Sequence, residues 1–127
     1  MIDIIGAIRW IVTRLTGGET AGTHAHANNL NWQNVATITT TARIKIHAIY
    51  LDMVNLTQAT NMRIQVEIDG ATPRTIWQDT WAVADDDGVL IDIPRGINTD
   101  CTIDIQSVVL EGAARDVPYN LIYEEME

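Results

Sequence analysis

The sequence is poor in the residues most chemistry needs: one cysteine, one serine, three histidines and no phenylalanine in 127 positions. A lone cysteine, Cys101, permits no intrachain disulfide and excludes the disulfide-stapled secreted class. Its place in the alternation Cys101, Ile103, Ile105 reads as a small buried hydrophobe, not a nucleophile. Ser107 lies inside an apolar strand and no Gly-x-Ser-x-Gly turn is present, which leaves no basis for a serine hydrolase. Gly17-Gly18 is not followed by the lysine of a phosphate loop.

Basic residues are scarce, with 8 Lys and Arg against 17 Asp and Glu and a formal charge of -9. They stand singly, and a phosphate-binding surface needs them clustered, so no nucleic-acid partner is expected. The same charge is repelled by anionic membrane surfaces. No apolar run is long enough to span a bilayer. The apolar opening stretch has Asp3 near its start and Arg9 and Arg14 within it, unlike a secretory signal. The expectation is a chain made in the cytoplasm with no signal peptide, no transmembrane segment and no membrane partner.

The hydrophobic fraction of 46% suffices for a packed core in one domain. Residues 1–16 differ from the rest. Met1, Ile5, Ile8, Val12 and Leu15 recur at heptad spacing, and Ile4 and Ile11 widen the stripe. This predicts a short amphipathic helix ended by Gly17-Gly18. So short a helix with β-branched residues needs a cover for its apolar face. That cover is either its own domain or further copies of itself. Isoleucine at both heptad core positions favours trimers or higher. Ile4, Ile5, Ile8, Ile11, Val12 and Leu15 are therefore the candidate oligomer contact. Residues 17–34, rich in Gly, Thr, Asn and His, read as a polar linker, with the folded domain spanning 35–127.

From Val35 onward the pattern is strands. Arg43–Met53 alternates and then changes phase, as at a bulge or in a strand covered on both faces. Met62, Ile64, Val66 and Ile68 alternate cleanly with polar residues, and Asp69-Gly70 closes that strand. Thr75–Val83, Val89–Ile93 stopped by Pro94, Thr99–Val109 and Val117–Tyr123 follow, and residues 124–127 trail into solvent. About seven or eight short antiparallel strands between turn signals predict an all-β sandwich or jelly roll.

Three constellations invite chemistry. On a strand, His24 and His26 can aim two imidazoles at one metal, yet zinc wants three or four ligands and no nearby third one completes the set. A polar linker is the simpler reading unless a threefold axis gathers two ligands from each copy. Metal-dependent catalysis would need His47 to join them. Asp85-Asp86-Asp87-Gly88 offers hard oxygens to calcium but lacks the spacing of an EF-hand, and a solvated turn is the simpler reading. Trp77 and Trp81 share a strand face; exposed, they form a stacking platform for a sugar, and buried, as their size favours, they are core. No catalytic residues, bound metal or cofactor are expected.

In order and style the chain resembles the small β-sandwich structural proteins of tailed phages and archaeal viruses. The resemblance rests on the amphipathic segment Ile2–Leu15 and the strand Ile46–Met53 with Asn55-Leu56-Thr57-Gln58 after it. The hairpin Trp81–Ile93 and the closing segment Glu111–Tyr119 add to it. It implies a virion component, for capsid decoration, a vertex or a tail, that forms homo-oligomers and meets other virion proteins. The alternative expectation is a carbohydrate-binding or adhesin-like sandwich using Trp77 and Trp81.

Overall fold

The computed structural model describes residues 17–39, 43–67, 72–85, 88–97 and 100–126. The helix expected over 1–16, with its contact residues Ile4, Ile5, Ile8, Ile11, Val12 and Leu15, lies outside the described residues. The described residues are all-β: β1 Gly17–His26, β2 Gln33–Ile38, β3 Arg43–Asp52, β4 Thr60–Glu67, β5 Pro73–Trp81, β6 Gly88–Ile97, β7 Cys101–Ser107 and β8 Arg115–Met126. They form two antiparallel four-stranded sheets, ordered β1-β8-β3-β6 and β2-β7-β4-β5. Only β4 and β5 follow one another within a sheet; every other connection crosses between the sheets.

The inward faces meet in one core. Ile44, Ile46, Ile49 and Leu51 of β3 with Val117 and Leu121 of β8 face Met62, Ile64 and Val66 of β4 and Cys101, Ile103 and Ile105 of β7. Each buried aliphatic side chain contributes roughly 1.5–3 kcal/mol of transfer free energy. The strict alternation of β4 reproduces the period read from its sequence. The phase change in β3 is a register shift against β8 between Ile46 and Ala48, which lets both Ile46 and Ile49 point inward.

Three expectations need correction. Residues 17–34 are not a linker: residues 17–26 are β1, paired with β8 over its whole length, and β2 starts at Gln33. Pro94 does not stop β6, which runs from Gly88 to Ile97. β6 is an edge strand, where a missing N–H need not face a neighbour, and the register with β3 jumps from Ile46↔Ile93 to Lys45↔Gly96 around the proline. The acidic tail does not trail away either, since β8 extends to Met126 opposite Arg43.

Candidate assembly surface at the loop end of the sandwich

The antiparallel registers bring four connections to one end. Leu51 and Asp52 of β3 lie opposite Tyr119 and Gly88, Thr60 of β4 lies opposite Ser107, and His26 lies opposite Arg115. Residues 27–32, 53–59, 82–85 and 108–114 therefore share the loop end. Among the described residues, six of the nine large apolar side chains left exposed sit there: Leu30, Val54, Val83, Val108, Val109 and Leu110. Isolated surface apolar residues need no explanation, but a concentration at one end makes that end the candidate contact surface.

Three of these loops are fastened to one another from beneath. Glu111, its side chain fully buried, accepts from the Thr57 amide at 2.8 Å, the Thr57 hydroxyl at 2.7 Å and the Gln58 amide at 3.0 Å. Arg115 stands 3.8 Å from the same carboxylate. The Val108 amide donates to the Ala59 carbonyl, Gly112 N donates to Asn28 Oδ1, and Asn55 Nδ2 donates to the Asp116 carbonyl. Gln33 clamps the first loop by accepting from the Ala27 amide and donating to the Ala27 carbonyl. Gly112 turns the last loop with φ of 86°, a conformation that costs a residue with Cβ roughly 1–2 kcal/mol. Polar bonds thus hold the backbone while the apolar side chains face out, so little ordering entropy remains to be lost on contact.

Beneath these loops lie the histidines. His24 and His26 both point inward from β1 with ring centroids 5.7 Å apart. His26 is 0% exposed, and its Nε2 lies 2.6 Å from Ser107 Oγ, the donor depending on the tautomer. Burial lowers the pKa of both rings; for His26 the neighbouring His24 lowers it further, while Glu111 pulls the other way. A serine–histidine contact is where nucleophilic catalysis begins, but Ser107 is only 3% exposed. Moreover, the Glu111 carboxylate is engaged by Thr57 and Gln58, not by the second nitrogen of His26. The arrangement is suited to fixing β1 against β7 and the last loop. The sequence pointed to His24 and His26, whereas the partners Ser107 and Glu111, 81 residues from His26 in the case of Ser107, carried no local signal.

The other candidates fall elsewhere. His47 lies at the level of Gly18, where it pairs with Glu124 at 3.4 Å, and so does not join the other histidines. Among the described residues no three His, Cys, Asp or Glu side chains are grouped to hold a metal ion. Asp85 closes its own turn by accepting from the Ala82 amide; Asp86 and Asp87 lie outside the described residues. Trp77 and Trp81 do share a face, but it is the inner one. Trp81 is 4% exposed within the core and Trp77 packs against that core, because their cross-strand neighbours Ile64 and Thr60 face inward. They form no open stacking platform. The unforeseen aromatic is Trp32, under the Arg63 guanidinium at 4.1 Å, with Arg63 paired to Asp104 at 3.0 Å. Cys101 is fully buried and its thiol pKa is pushed up to about 12, burial contributing most and Asp104 adding to it.

The chain matches no protein-family profile and no curated protein sequence. Its fold is similar to that of solved structures. One is of the Bacillus endospore appendages, a family of disulfide-linked pili, with TM-score 0.57, 12% identity and coverage of 87% of this chain and 88% of that one. Another is the acid-stable capsid of Helicobacter pylori bacteriophage KHP30, with TM-score 0.54, 10% identity and coverage of 85% of this chain and 92% of that one. At these identities the likeness is one of fold. It bears out the resemblance to virion β-sandwich proteins at that level. Among the described residues no helix is long and apolar enough to cross a membrane.

Proposed function

We propose that this chain is a self-assembling structural protein, a virion component of the decoration, vertex or tail-associated kind, that acts by contact and not by catalysis. The reading is carried by one observation: apolar side chains are concentrated on braced loops at a single end of the sandwich. The strand order β1-β8-β3-β6 over β2-β7-β4-β5 supports a jelly roll, a fold used by capsid proteins. The fold neighbours belong to a pilus and a capsid, which supports an assembling role. Assembly does not run through a disulfide, since the one thiol is closed inside β7.

The test is the solution mass of the chain with Val54→Asp and Val109→Asp together. Both side chains are exposed, so the stability change should stay within about 0.5 kcal/mol. The expected result is a shift to smaller species with the unfolding transition unmoved. An assembly state identical to that of the unmodified chain would overturn the assignment of the loop end as a contact.

A further inference from the structure

The four sheet edges are built differently. β2 is only six residues long and its pairing slips between Asn34 and Ala36. β5 opens with Pro73 and slips opposite Ile64 and Gln65. β6 contains Pro94 and slips against β3. Short length, proline and bulges are the devices by which proteins keep an edge from accepting another strand. β1 has none of them. Its ten residues pair one for one with β8 without a slip, and they include no proline, lysine or arginine.

We infer that the free edge of β1 is a strand-addition site and that its occupant is β1 of a second copy, antiparallel, joining the two four-stranded sheets into one. The inference rests on the self-assembly reading and names the contact by which copies pair. Alternate residues of a strand direct N–H and C=O away from the neighbour they already have, so half of β1's backbone groups face outward. Among the described residues no second strand pairs with that edge. Ala21, Gly22, Thr23 and Ala25 are small and exposed, and shield nothing. The one charged side chain, Glu19, is held by Asn120 Nδ2 at 2.7 Å, over β8 and away from the edge.

Charge and symmetry select the orientation. Parallel pairing in register stacks one Glu19 on the other. Antiparallel pairing about a two-fold axis at Ala21 places Glu19 opposite the partner's Thr23. The two carboxylates then stand about 14 Å apart along the strand, beyond the roughly 8 Å screening length. Opposed residues must share a sheet face, so the axis falls on a residue, Ala21 or Gly22, and not between them. Such a pair is closed on itself, and its loop ends remain available to link pairs into larger assemblies.

Cysteine cross-linking tests this in the full chain, because the native thiol of Cys101 is buried. Directly opposed residues of antiparallel strands have Cα atoms about 4.5–5.5 Å apart, within disulfide reach. A21C should oxidise to a disulfide dimer if the axis is at Ala21, and A21C/T23C should if it is at Gly22. L90C, 69% exposed on β6 of the same sheet, supplies the background of random encounter. The expected result is at least tenfold faster dimer formation for one of the β1 variants. Cross-linking of both at the L90C rate overturns the edge pairing. The mass of the unmodified chain then separates the cases: a defined multimer keeps the assembly reading and moves the contact elsewhere, whereas a monomer removes both.

Discussion

β1 and β6 bound the same sheet and are each ten residues long, but they treat the chain beyond them in opposite ways. β6 carries Pro94 and a broken register with β3; β1 keeps a perfect register with β8 and presents small side chains. Position in the sheet and strand length are equal, so composition and register decide which edge carries features that block strand addition. The residues that give β1 this character, among them Gly17, Gly18, Gly22, Ala21 and Ala25, are those that lower its intrinsic strand propensity. Long pairing with β8 compensates, and Gly22 has a further reason to lack a side chain: a Cβ there would meet the Tyr119 hydroxyl at 2.8 Å.

Glu111→Ala leaves the Thr57 and Gln58 donors unpaired beneath the loops beside the end of β1, and about 1–3 kcal/mol of stability should be lost. Chemical denaturation measures this, and an unfolding free energy within 0.5 kcal/mol of the parent, roughly the effect of an ordinary surface change, would show that the carboxylate is no hub. A smaller effect sharpens the comparison directly. Ala21→Lys with Thr23→Lys adds to β1 the edge charge it lacks, and association should weaken about tenfold, equivalent to about 1.4 kcal/mol. Leu90→Lys makes a comparable change on β6 and should leave association unaltered. Equal responses from the two edges, read by sedimentation across a dilution series, would remove the distinction.

The smallest effect is in pH. β1 bears His24 and His26, whereas β6 bears no histidine. Burial holds both rings below their ordinary value of 6.5. The unfolded chain therefore takes up protons first as pH falls, so this share of stability is complete above about 6.5 and is lost below it. Hydrogen exchange at about pH 5.5 against about pH 7.5 should show β1 losing protection before β6. His24→Gln with His26→Gln should flatten that dependence; an unchanged difference would assign it to other groups.

Much of the sheet was legible because burial on one face writes a period of two. Ile44–Leu51, Met62–Val66 and Cys101–Ile105 were placed on the core face from alternation alone, and the β3 bulge from its phase change. β1 was not legible, since Gly, Thr and His with no large apolar partner give no period, and its stability comes from β8, far away in sequence. Pro94 was misread for want of knowing that β6 is an edge. Trp77 and Trp81 share a face as their even spacing requires, and it is the buried face that their size favours. The loop-end surface was invisible as a unit: Leu30, Val54, Val83 and Val108–Leu110 are brought together only by topology, and the bracing by Glu111 spans loops far apart in the chain.

Association of copies of this chain is read from the absolute mass of the full chain in light scattering after size exclusion, over a series of concentrations and salt. The expected result is a defined multiple of 14.1 kDa whose population grows as salt screens the charge of -9 on each copy. A 14.1 kDa species that persists at the highest concentration and salt would contradict it.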